Sequence, residues 1–152
     1  DVKLVATPAR HFSGRQLNDR FKTLWCGWVI KSKNHSLFFS GDSGYFDGFR
    51  QIGEKYGPFD FSMMENGQYS IYWPTIHMMP EESVMAAIDL KSKAAMPIHW
   101  GKFKLSIHEW NEPPRRFYVH AKKNNLKVVL PFIGQTFNLN NLPVETFTFS
   151  NN

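Results

Sequence analysis

The sequence predicts a layered α/β domain. Three observations carry that expectation. Short β-rich apolar runs recur along the chain, as in Leu24–Ile30 and Leu126–Ile133. Between the later runs lie segments whose apolar residues fall at helical spacing. Glycine and proline punctuate the joins. Strands that alternate with helices build a sheet layered with helices. The chain has 152 residues, the size of one domain.

The elements follow in order. Residues 1–6 read as a strand that ends at Pro8, and a loop carrying His11 and Gly14 follows. Leu24–Ile30 and Leu37–Ser40 read as two strands, and the polar link Lys31–Ser36 between them suits a hairpin. The second of these runs into a turn-rich corner, Gly41-Asp42-Ser43-Gly44. Phe46, Phe49, Ile52 and Tyr56 share one helical face, and Gly57-Pro58 stops that helix. Phe59–Met64 reads as a buried strand, and Glu65–Met79 as a long loop. Pro80-Glu81-Glu82 opens a helix, with proline in the first turn and acids at its positive end. Ala94–Ile98 is a short strand that ends in His99-Trp100-Gly101. Glu112–Asn124 reads as a helix and Leu126–Ile133 as a last strand, with Pro131 marking an edge or bulge.

Composition narrows the function classes. Hydrophobic residues make up 42% and charged residues 20%, which excludes a mostly disordered chain. No apolar run approaches the roughly 20 residues of a membrane-spanning helix. The single cysteine, Cys26, excludes a disulfide scaffold and a cysteine-cluster zinc site, and is read as a buried core thiol. No secretory leader stands at the start, and a chain that begins at Asp1 is expected to be a processed or excised piece. The net charge of +5 is dispersed in pairs such as Lys31/Lys33, Lys102/Lys104 and Arg115/Arg116. That pattern suits a solvated surface or attraction of an anionic ester, and nucleic acid is not expected as a partner.

Three residues share one placement. His11, Asp42 and His99 each follow a strand and sit beside glycine. Loops at the ends of neighbouring strands converge on one sheet edge, where ligands bind in open α/β folds. Two imidazoles and a carboxylate suit zinc or another first-row metal. Read by themselves, the histidines more simply fit surface or hydrogen-bonded positions, and Asp42 a turn former. Tyr69, Tyr72, Trp73 and Ile76 are read either as an acyl pocket or as loop packing; His35, His108 and His120 are read as exposed.

The wording around these residues adds a resemblance. Thr7-Pro8-Ala9-Arg10-His11-Phe12-Ser13-Gly14-Arg15, Thr23-Leu24-Trp25, Phe39-Ser40-Gly41-Asp42-Ser43-Gly44-Tyr45, Ile52-Gly53 to Asp60, His77-Met78 to Glu82, and Pro97-Ile98-His99-Trp100-Gly101 form ordered blocks. Together they resemble the metallo-β-lactamase-fold hydrolases, nearest to the branch that holds the N-acyl-phosphatidylethanolamine-hydrolysing phospholipases D. The resemblance spans about residues 5 to 115. It implies that His11 and His99 are metal ligands, that Asp42 bridges two metals, and that His77 lies beside the site to contact substrate or assist proton transfer. The implied cofactor is a divalent metal, zinc first, with one or two ions in the complete domain. The implied reaction is hydrolysis of a phosphodiester, such as an N-acyl-phosphatidylethanolamine-like phospholipid, by metal-activated water.

This family's fold is a four-layer αββα sandwich of two similar halves, with a His-x-His-x-Asp-His motif in the first. No such motif occurs here; the closest histidines, His99 and His108, are nine positions apart. Residues 1–152 are therefore expected to be a single half-domain, the second half of the sandwich, with 140–152 as a polar tail. A lone half exposes a sheet face, expected to hold Trp25, Trp28, Phe38 and Phe39, that pairs with the missing half or with a second copy. Two other functions stay open: a lactone or sugar-phosphate ester hydrolase of the same fold, or a non-catalytic half-domain that acts as an assembly partner. Cytoplasmic placement and peripheral contact with a membrane both fit.

Overall fold

Six strands form one sheet in chain order, in a computed structural model that describes residues 1–14, 16–103 and 105–143. The strands are β1 (Lys3–Thr7), β2 (Gly27–Lys31), β3 (Ser36–Phe39), β4 (Phe61–Glu65), β5 (Ala94–Ile98) and β6 (Lys127–Val128). β1, β2 and β3 pair antiparallel; β3 to β6 pair parallel. The parallel pairs are joined by three helices: α1 (Gly48–Tyr56), α2 (Pro80–Asp89) and α3 (Glu112–Lys123). With two reversals between them, β1 and β3 run the same way. The carboxyl ends of β1, β3, β4 and β5 therefore share one edge of the sheet.

Successive strand residues point to opposite faces. On one face Val29, Phe38, Met64, Ala95 and Val128 meet Phe49 and Ile52 of α1, Val84 and Ala87 of α2, and Phe117 and Ala121 of α3. All three helices thus lie on that face. α1 and α2 cross closely because Gly53 has no side chain: a Cβ there would lie 2.1 Å from the Asp89 carbonyl oxygen. Arg116 joins α3 to α2 by hydrogen bonds of 3.0 and 2.7 Å to Glu81, and it also bonds Glu112 at 2.9 Å. At the start of α2, the Glu82 carboxylate accepts the Met79 N–H at 2.8 Å.

The other face carries a second, smaller cluster. Phe61, Ala94 and Val129 are buried there, with Leu37, Met63 and Met96 half-buried under Phe137, Leu139 and Leu142. Within the expected polar tail, Leu142 thus packs on the sheet, and residues 144–152 lie outside the described residues.

Several expectations are corrected. Phe38 does not sit on the open face; it is fully buried under the helices, because Phe38 and Phe39 alternate across β3. Leu24 is fully exposed and precedes β2, which starts at Gly27. The expected Leu126–Ile133 strand shrinks to Lys127–Val128, an edge strand ended ahead of Pro131. Cys26 is half-buried rather than a core thiol, and His108 is half-buried, its ring stacked on Tyr69 at 4.3 Å. Tyr69 donates to Glu112 at 2.8 Å and the Trp73 indole to the Gln68 carbonyl at 2.7 Å, so both serve loop packing. Among the described residues no helix is long and apolar enough to cross a membrane.

Candidate metal centre

The shared edge gathers His11, Asp42, His77 and His99, each on its own loop. His11 follows β1. Its loop is pinned to the Asp42 corner: the Arg10 N–H donates to Ser43 Oγ at 3.0 Å, and the Gly44 N–H donates to the Arg10 carbonyl at 2.8 Å. The Trp25 indole N–H ties the same loop through the Ala9 carbonyl at 3.0 Å. Asp42 follows β3 after Gly41, whose φ of +61° and approach of its Cβ position to 2.8 Å from the Cys26 carbonyl leave no room for a side chain. His99 follows β5 and itself has φ +66°, a strained backbone of the kind that clusters at functional sites.

One further residue belongs here that the sequence reading passed over. Glu65 is the last residue of β4, with its side chain completely buried. Its Oε2 accepts the Met78 N–H at 2.9 Å and its Oε1 accepts the Gly67 N–H at 3.2 Å. The same Oε1 lies 3.1 Å from His77 Nδ1 and 3.4 Å from His99 Nδ1. The available signal was positional: a carboxylate that ends an apolar parallel strand stands on the same edge as Asp42 and His99.

The imidazoles are close-set. The His77 ring lies 5.2 Å from His11 and 5.3 Å from His99, centroid to centroid. His99 Nε2 is 3.5 Å from Asp42 Oδ1. The hydrogen bond with Glu65 raises the His99 pKa above the usual imidazole value, against burial, with Asp42 and the Gly67 backbone adding to it.

The donor set fits a divalent cation. His11 turns Nδ1 to the Phe12 carbonyl at 2.8 Å, so its Nε2 carries the lone pair. That Nε2 is buried and, among the described residues, has no hydrogen-bond partner. A buried polar atom without a partner is costly and calls for an explanation; a metal ion supplies one. His99 Nε2 and Asp42 Oδ1 add a nitrogen and an oxygen of the kinds that bind zinc at about 2.0–2.2 Å once an ion draws them in. Glu65, His77 and His99 also hold donor atoms within 4.8 Å of one another.

Beside these residues opens a cleft of about 760 Å³, lined by His11, Asp42, Trp25, Cys26, Phe39 and Lys22 among others. A smaller one of about 360 Å³ brings Lys102 and Phe103 beside His99. Lys104, the other cation expected to meet an anion, lies outside the described residues.

Residues 1–100 match the family model of the β-lactamase superfamily domain. An uncharacterised protein of Mycobacterium tuberculosis is 43% identical over 138 residues, 89% of this chain and 37% of that protein. N-acyl-phosphatidylethanolamine-hydrolyzing phospholipase D 1 of Caenorhabditis elegans is 35% identical over 117 residues, 75% of this chain and 33% of that protein. The chain thus spans about a third of the length of these two relatives. Among solved structures, a metallo hydrolase of the archaeon Ignicoccus hospitalis shares the fold with a TM-score of 0.65 at 21% identity, over 86% of this chain and 49% of that one.

Proposed function

The chain belongs to the β-lactamase superfamily domain family, and from that premise we propose that it is the part of a metal-dependent hydrolase that contributes His11, Asp42 and His99 as ligands of a divalent metal, zinc first. The observation that carries this reading is the buried, unpartnered Nε2 of His11 beside the His77–His99 stack. When bound, the ion supplies positive charge that acidifies water and stabilises charge developing on the ester. The protein groups do the rest. His11 and His99 hold their Nε2 lone pairs in place through the oxygens that face Nδ1. His77 takes or gives a proton at Nε2, its Nδ1 being engaged by Glu65. Lys22 and Lys102 line the two clefts and attract an anionic substrate.

A phosphodiester of the N-acyl-phosphatidylethanolamine kind is the proposed substrate class, supported by the named activity of the Caenorhabditis elegans relative and by these cations. The remaining ligands would come from a complementary half packed on the less covered sheet face. That same face supports a second reading, a half-domain whose role is assembly: Leu4 is 60% and Trp28 38% exposed there. The test is mass-spectrometric detection of phosphodiester cleavage by the zinc-loaded chain, alone and with its complementary half. Cleavage that drops roughly 10²–10⁴-fold in His77→Ala, with metal content unchanged, is expected. Turnover of lactones or sugar phosphates instead would move the substrate class, and metal without turnover in either setting would leave assembly as the function.

A further inference from the structure

His77 and His99 stand on separate loops, yet both turn Nδ1 toward one atom, Glu65 Oε1, at 3.1 and 3.4 Å. That atom is itself fixed. The Glu65 carboxylate accepts the Gly67 and Met78 N–H groups. Its backbone N–H donates to Ser40 Oγ at 2.8 Å, and its carbonyl accepts Ser83 Oγ–H at 2.5 Å. A buried carboxylate persists only with hydrogen-bond or charge partners. Among the described residues, Glu65 is bonded to backbone N–H groups and imidazoles, and to no lysine or arginine.

The geometry points to Glu65 as a positioning residue that fixes the Nδ1–H tautomer of both His77 and His99, leaving each Nε2 lone pair free for the site and tying the proposed ligand to the proposed proton carrier. The function of this device rests on the metal-hydrolase reading; its geometry does not. Direct ligation by Glu65 is the competing arrangement, since its oxygen stands in one donor cluster with His77 and His99. Two observations weigh against it. Both Glu65 oxygens are already occupied by N–H donors, which a cation on that side would displace. And Asp42 stands against Nε2 of His99 while Glu65 stands against Nδ1, so the two carboxylates face opposite nitrogens of one ring. His11 repeats the pattern, with Nδ1 on a carbonyl oxygen and Nε2 unpartnered. Carboxylate–histidine–metal arrangements use the outer carboxylate in this way.

The test is ¹⁵N NMR of the histidine side chains in the metal-free full chain, with the pH raised until no imidazolium signal remains. The wild type is expected to carry the proton on Nδ1 of His77 and His99. In Glu65→Ala neither ring has a carboxylate facing Nδ1, so the proton is expected to shift toward Nε2, the site that a free neutral imidazole side chain prefers. Zinc affinity is expected to fall about 10–100-fold in the same variant. Nε2–H tautomers in the wild type would overturn the proposal, and so would a Glu65→Ala chain whose tautomers and zinc affinity are unchanged. If the variant does not fold, the wild-type tautomers decide alone. Nδ1–H tautomers in a wild type that binds no zinc would leave the Glu65 assignment standing and remove the metal reading.

Discussion

The two faces of the sheet are built from similar residues and reach different states. Toward the helices, Val29, Phe38, Met64 and Ala95 are completely buried. Toward the other side, Leu37, Phe39, Met63 and Met96 are only half-buried, and Leu4 and Trp28 are exposed. Paired residues carry the contrast: Val29 opposite Phe38 is a closed pair, and Trp28 opposite Phe39 is an open one. Apolar side chains make a face capable of burial, but what docks on it decides whether burial happens. The proposed metal centre stands at the edge between the two, and its larger cleft is walled in part by Phe39 of the open face.

The comparison can be broken most decisively by truncating adjacent aromatics. Phe38→Ala should cost about 3–5 kcal/mol in urea denaturation, the range for a fully buried phenylalanine, and Phe39→Ala only about 1 kcal/mol because its site stays open. Equal costs would remove the distinction between the faces. Gly67→Ala should cost about 1–3 kcal/mol and also weaken zinc binding, because its Cβ would fall 1.9 Å from the His99 carbonyl oxygen. An unperturbed zinc titration would separate that turn from the site.

The helix layer adds a smaller, pH-dependent term. Burial raises the pKa values of Glu81 and Glu112, but Arg116 outweighs it and both end below the ordinary glutamate value. A carboxylate lowered in the folded state contributes stability that is complete above its unfolded pKa of 4.5 and is lost as pH falls through the folded value. Arg116→Met should therefore cost about 1 kcal/mol at neutral pH, discounted for partial exposure, and little in acid. Thermal melts across that range check it; a cost that persists in acid would assign the effect to packing of the arginine stem. The smallest expected change in stability is on the open face. Trp28→Lys should shift stability by about 0.5 kcal/mol or less, while sedimentation shows weaker association with a second copy or the complementary half. Association that survives this substitution would place the contact elsewhere.

Much of this was legible in the chain itself. The order of strands and helices followed from short apolar runs and Pro/Gly punctuation, and the placing of His11, Asp42 and His99 after strands put them on one edge. The rest depended on tertiary contacts that a local pattern does not encode. The Phe38-Phe39 pair alternates, but nothing local says which of the two turns to the helices. Glu65 reads as the first polar residue of a loop, and only the Met78 and Gly67 N–H groups folding back onto it make it an interior residue. Leu126–Ile133 has the residues of a long strand, yet the ladder to β5 is short and Pro131 offers no N–H to extend it.

The central claim, that this edge assembles a metal site from residues of this chain, is tested most directly by elemental analysis of the purified chain and of Asp42→Ala. The account predicts near-stoichiometric zinc, or another first-row metal, in the wild type and a clear loss in the variant. Metal absent from both, or retained equally by both, would contradict it.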